Sequence, residues 1–208
     1  MSFEGQILEI HEDGKTEDLL ADGDIFIEIE KLGRNSRRIR STIGVEGNLD
    51  SVWSVLTSYE KLSDFIPTLV ASELVERKGN RARIIQIGQQ NLALGLKIRA
   101  KAVLDCFEKE LEILPHGKRR DIEFKLVEGD FHFLQGKWSI EQINKGGTSE
   151  PNSKDFRRTT LSYMVDVQPK PWLPVRLIEG RLCNEIKTNL SCIGETVRKA
   201  MEGSLLDL

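Results

Sequence analysis

Apolar residues at every second position run through most of this chain, and only its final segment changes to a spacing of three and four. Ile25, Ile27 and Ile29 alternate along a first stretch, Gly33-Arg34-Asn35-Ser36 supplies turn residues, and Ile39, Ser41, Ile43 and Val45 alternate along a second. This pattern predicts a β-hairpin. At Asn48 the period shifts: Asn48 or Asp50 can cap a short helix carrying Val52, Trp53, Val55 and Leu56. Tyr59 to Pro67 reads as a second short helix stopped by proline. Strands return over Leu69–Arg77, then, after a Gly79-Asn80 turn, over Ala82–Gln89 and Leu94–Phe107. In the last of these, Leu94, Leu96, Ile98, Ala100, Ala102, Leu104 and Cys106 share one face, with Lys97, Arg99, Lys101 and Asp105 on the other. One wet face and one dry face are what an antiparallel sheet against a core requires.

Asp121–Val127 and Phe131–Ile143, joined by Glu128-Gly129-Asp130, predict another hairpin, with Gly136 as a bulge or bend before Trp138. Residues 145–154 form a loop rich in Gly, Ser, Asn and Pro, and Thr159 to Val167 is the final strand. From Pro174 to about Met201, Val175, Ile178, Leu182, Ile186, Leu190, Ile193 and Val197 give one apolar stripe on a helix. About 28 residues at 1.5 Å each span roughly 42 Å, enough to cross a small domain. Gly180 and Gly194 weaken this helix, so they serve either close packing on a sheet or a bend.

The order predicts an α+β fold: a curved antiparallel sheet wrapped around a long C-terminal helix, with two short helices near the N-terminal side. A helix across a concave sheet leaves an apolar hollow, the natural seat of a hydrophobic small molecule or lipid. The chain divides into a mobile acidic leader (1–23), a ligand-binding domain (24–202) and a short tail (203–208).

Composition narrows the partners. The 208 residues carry a net charge of −3, too acidic overall for nucleic acid as the main partner. No apolar run reaches the roughly 20 residues of a membrane span. Met1 to Glu12 lacks a signal-peptide pattern. The three cysteines, Cys106, Cys183 and Cys192, are odd in number and lack C-x-x-C spacing, as expected of reduced residues in a cytoplasmic protein. The basic face of Lys97, Arg99 and Lys101 suits transient contact with an anionic membrane surface.

Chemistry is sparse. His11, His116 and His132 lie far apart with no companion at ligand spacing, so no metal site and no cofactor are expected. Tyr163, Gln86 and Ser41 are the polar side chains on inward faces. The ligand contacts expected on the inner faces and rim are Phe65, Ile98, Ala100, Phe131, Phe133, Trp138, Tyr163, Ile178 and Leu182. No residue is assigned a catalytic role; were the protein an enzyme, Tyr163 would be its proton donor.

Four segments carry a family resemblance. They are Gly33-Arg34-Asn35-Ser36-Arg37-Arg38-Ile39, the run from Val52 to Leu62, Phe65-Ile66-Pro67, and Val127 to Phe131 followed by Gly136-Lys137-Trp138. Together, over about residues 24–200, the chain resembles the START-like (SRPBCC, helix-grip) superfamily. Within it the chain is similar to the polyketide cyclase/dehydrase and lipid-transport family of cyanobacteria and plastids, and to coenzyme Q-binding START proteins. Ser58 replaces the group's usual acidic residue and Thr68 its usual asparagine. The resemblance implies binding or transport of a lipid or isoprenoid quinone. It leaves open a cyclase or dehydratase that uses polar cavity residues, and an interaction module with a vestigial cavity. The pair of short helices would then sit at one end of the cavity as a lid.

Overall fold

The computed structural model describes residues 24–91, 97–143, 158–173 and 179–206. The leader, Leu94, Leu96, the loop at 145–154, Pro174, Val175 and Ile178 lie outside the described residues. The elements run β1 (Ile25–Gly33), β2 (Ser36–Val45), α1 (Leu49–Thr57), a 3-10 turn (Tyr59–Lys61), α2 (Leu62–Phe65), β3 (Leu69–Lys78) and β4 (Arg81–Asn91). They continue through β5 (Lys97–Glu108), β6 (Glu112–Leu114), β7 (Gly117–Gly129), β8 (Phe131–Ile143) and β9 (Arg158–Pro169) to α3 (Glu179–Leu206).

Among the described residues, all nine strands form one antiparallel sheet in the order β1-β2-β9-β8-β7-β5-β4-β3, with β6 paired to β7. The expected architecture therefore holds, with two additions. Strand β6 and the first residues of β7 were not foreseen, because Gly117-Lys118-Arg119-Arg120 shows no apolar alternation. The closing helix also runs on past Met201 to Leu206, since Gly203 keeps a helical backbone.

Alternation sets which face is buried. On the inner face Ile39, Ile43, Ile84, Leu104, Ile122, Ile140 and Leu161 are at most 6% exposed. The outer face is charged and laced with pairs. Arg38 grips Asp166 with two bonds of 2.6 and 2.8 Å, and Arg83 grips Asp105 with two of 2.7 and 2.9 Å. Each guanidinium holds its partner carboxyl below the usual range, chiefly through these hydrogen bonds.

Helix α1 starts where Asn48 accepts the Ser51 amide at 2.8 Å. Leu49, Val52, Val55 and Leu56 are its buried stripe. The Leu49 amide donates to the Gln142 side chain at 3.1 Å, and the Thr159 hydroxyl donates to the Gly47 carbonyl at 2.6 Å. These bonds fix α1 to β8 and β9. On α3, Leu190, Ile193 and Val197 are at most 1% exposed, and a Cβ built on Gly194 would lie 3.7 Å from Ile43. Gly194 thus serves close packing on β2.

Candidate functional site

Between α3 and the concave face lies a cavity of about 380 Å³, within the roughly 300–1,000 Å³ of small-molecule sites. The alternation of β5 aims Ile98, Ala100, Ala102 and Leu104 into it. Strands β7 to β9 add Phe124, Trp138, Tyr163 and Val165, while Leu182, Ile186 and Leu190 come from α3. The lining is mainly hydrocarbon, so its chief interaction with a guest is the exclusion of water.

Tyr163 forms the centre of one wall. Its ring lies 4.2 Å from Trp138 and 6.0 Å from Phe124, centroid to centroid. Room for Phe124 comes from Gly136, where a Cβ would fall 2.7 Å from that ring and 2.1 Å from the Met164 carbonyl oxygen. Gly136 therefore marks a close approach. The bulge foreseen there lies instead between Phe131 and Phe133. Burial alone pushes the Tyr163 hydroxyl well above its ordinary value, with no charged group contributing.

Each end of the cavity carries a cluster of polar groups. At one end the Tyr59 hydroxyl donates to Glu108 Oε1 at 3.2 Å, and Arg77 binds the same oxygen at 2.8 Å. Cys106 borders this cluster, and burial first, then the nearby Glu108 and Asp105 carboxylates, pushes its thiol up to about 12. At the other end β4 finishes, β5 and β8 begin and β9 finishes. Gln90, Thr68, Asn189 and Arg37 line the cavity here. Arg37 is 2% exposed and donates from Nη1 to the carbonyls of Gly33 and Ser36 at 3.0 and 2.9 Å.

Of the expected contacts, Ile98, Ala100, Phe131, Trp138, Tyr163 and Leu182 all line the cavity. Ile178 lies outside the described residues. Phe133 does not line it: the register shift between Phe131 and Phe133 reverses the inward parity, so Leu134 takes the inner face and Phe133 is 40% exposed. Phe65 also stays out, packed against the core, because Leu62 at the start of α2 and Ile66, the extended residue that ends it, take the inward positions. Gln86 reaches the cavity, bonded to Ser72 at 3.3 Å, whereas Ser41 borders a smaller pocket beside Tyr163.

Sequence reasoning passed over Arg37, Gln90 and Asn189. Gln90 could have been found, because it continues the inward parity of Ala82, Ile84 and Gln86. Asn189, three residues after Ile186 and one before Leu190, borders the apolar stripe of α3.

Comparison with known proteins agrees with this geometry. Residues 45–193 match the family model described as polyketide cyclase / dehydrase and lipid transport. No curated protein matches in sequence. Among solved structures the fold is similar to human StAR-related lipid transfer protein 5, at 12% identity and a TM-score of 0.61, covering 84% of this chain and 88% of that one. It is similar to a STAR-related lipid transfer protein from Xanthomonas axonopodis, at 13% identity and TM-score 0.59, over 83% and 98%. The Zhui aromatase/cyclase from a Streptomyces species matches at 14% identity and TM-score 0.54, over 80% and 96%. At such identities these likenesses speak to the fold. The chain belongs to the polyketide cyclase/dehydrase and lipid-transport family, with the START-like helix-grip fold.

Proposed function

We propose, from membership of that family and from the chemistry of the cavity wall, that residues 24–202 bind and carry a hydrophobic ligand without changing it. The ligand is a lipid or an isoprenoid quinone-like molecule, the setting cytoplasmic, and the exposed basic residues Lys97, Arg99 and Lys101 favour brief contact with a membrane surface. The observation that carries this reading is the wall at Tyr163. Its one titratable side chain is walled in by rings and kept neutral by burial alone. A general acid works best with a pKa near the operating pH, and burial moves this hydroxyl the other way. A guest instead gains about 25 cal/mol for each Å² of apolar surface it hides. An interaction module with a vestigial cavity would be expected to fill the space with large side chains, yet Ala100, Ala102 and Gly88 line it.

Native mass spectrometry of gently purified full chain, with organic extraction, tests the proposal. The expected result is an apolar adduct, released unchanged and rebound on incubation. Conversion of that compound to a cyclised or dehydrated product would overturn the carrier reading. Tyr163→Phe sharpens the choice. A carrier loses at most one hydrogen bond to its ligand, about 0.5–1.5 kcal/mol, whereas an enzyme using that hydroxyl loses turnover by about 10²–10⁴-fold.

A further inference from the structure

Two carboxamides at the Gln90 end are incompletely bonded. Gln90 Oε1 and Asn189 Oδ1 are buried, and neither has a donor among the described residues. Both residues line the cavity. They belong to one patch, organised by Thr68. Its hydroxyl receives Asn189 Nδ2 at 2.7 Å, and its carbonyl receives the Gln89 amide at 2.8 Å. The next residue, Leu69, pairs with Gly88, so Gln90 lies two places further along the same inward face of β4. Two side chains from distant parts of the chain thus bring acceptors to one end of a mainly hydrocarbon chamber.

Burying an acceptor with no donor is costly, and folded proteins avoid it unless something supplies the missing bond. Water can do so while the cavity is wet. An apolar guest expels that water and worsens the cost unless it brings its own donor.

We propose, resting on the carrier reading above, that the ligand's polar end is a hydroxyl, whose single hydrogen is donated to one of the two orphan oxygens, Gln90 Oε1 or Asn189 Oδ1, while the apolar body lies along β5 and Tyr163. A ketone, ether or ester of the same skeleton offers acceptors only and leaves both oxygens unpaired. A hydroxyl also accepts as well as donates, so it satisfies the Asn189 carboxamide whichever of its two atoms faces the guest. The preferred guest class is an apolar alcohol or a reduced, phenolic form of a quinone, ahead of the corresponding carbonyl compound.

The test uses farnesol and farnesyl methyl ether, each displacing a fluorescent apolar dye from the full chain. The ether is the more apolar, so partition out of water alone would rank it tighter. Binding of the alcohol about three- to tenfold tighter is the expected result. In the double variant Asn189→Leu, Gln90→Met the preference should vanish or reverse. Equal binding of the two probes to the natural chain, or a preference that survives the double variant, overturns the hydroxyl assignment and leaves the carrier reading standing. Displacement by neither probe counts against the carrier reading itself. Should the variant unfold, as its thermal transition would show, the ratio on the natural chain decides alone.

Discussion

The two ends of the cavity use similar polar groups for opposite purposes. At the Tyr59 end, hydroxyl, carboxylate and guanidinium satisfy one another: Tyr59 donates to Glu108, and Glu108 also binds Arg77, whose guanidinium lies 5.6 Å from the Tyr59 ring. The Tyr59 hydroxyl and Glu108 Oε1 are thus committed within the protein. At the Gln90 end the bonding is incomplete, with two buried oxygens that no described residue serves. Buried polar groups that close on themselves hold a structure in place, and those left open need a partner from outside, water or a guest. The first end should therefore report on stability and the second on ligand choice.

The largest expected effect belongs to the closed end and to alkaline pH. The Cys106 thiol moves from an ordinary 9.0 to about 12, chiefly through burial. Between those values the unfolded chain has released a proton that the folded chain still holds, so stability falls as pH rises; below pH 9 both states keep the proton and the effect disappears. The slope is about 1.4 kcal/mol per pH unit. Tyr59, raised by burial and then by its charged neighbours, adds to the fall above its ordinary 10.0. Denaturant unfolding between pH 8 and 11 should show this decline, and Cys106→Ala should flatten it between pH 9 and 10. An unchanged slope in the variant would mean that the thiol is not held protonated by its site.

The next effect belongs to the open end. A Cβ on Gly88 would meet only the Thr68 and Ala100 carbonyl oxygens, at 3.8 and 4.0 Å, which is ordinary contact. Gly88→Phe should place a ring in the cavity without moving the backbone. If that ring displaces about 100 Å² of guest contact at about 25 cal/mol per Å², affinity falls by about 2.5 kcal/mol, roughly 60-fold. The thermal transition should move little. Undiminished binding of an apolar dye would place the guest elsewhere.

Much of the frame was legible in the sequence because its signals are local. Alternation gave Ile98, Ala100 and Ala102 their inward face, and the spacing of Leu182, Ile186 and Leu190 gave the helix its buried stripe. Phe131-His132-Phe133 alternates just as well, so the register shift that turns Phe133 outward leaves no trace in the sequence. That shift depends on how β9 pairs with β8, a property of two strands. The closed end was hidden for a similar reason, since Tyr59 and Glu108 lie 49 positions apart. The open end was half visible. Gln90 has the right parity, but nothing local shows that no described residue donates to its oxygen.

The smallest expected effect separates the two tyrosines, and with them the two kinds of wall. Tyr59→Phe keeps the ring, 4% exposed, and deletes the hydroxyl that Glu108 accepts. Glu108 retains Arg77 and is only partly buried, and the bond is long at 3.2 Å, so the loss lies at the low end for a hydrogen bond to a charged group, about 1.5 kcal/mol of stability. Affinity for an apolar dye should stay within about twofold, because that hydroxyl is already committed to the protein. Tyr163→Phe should do the reverse. Its hydroxyl has no protein partner among the described residues, its ring contacts survive the change, and removing a buried hydroxyl without a partner is close to neutral for folding. Any cost should then appear only with a guest that hydrogen-bonds there. Paired unfolding and dye-binding measurements on the two variants check the contrast. If Tyr163→Phe destabilises the protein as much as Tyr59→Phe does, the wall is bonded like the closed end, and the distinction between them fails.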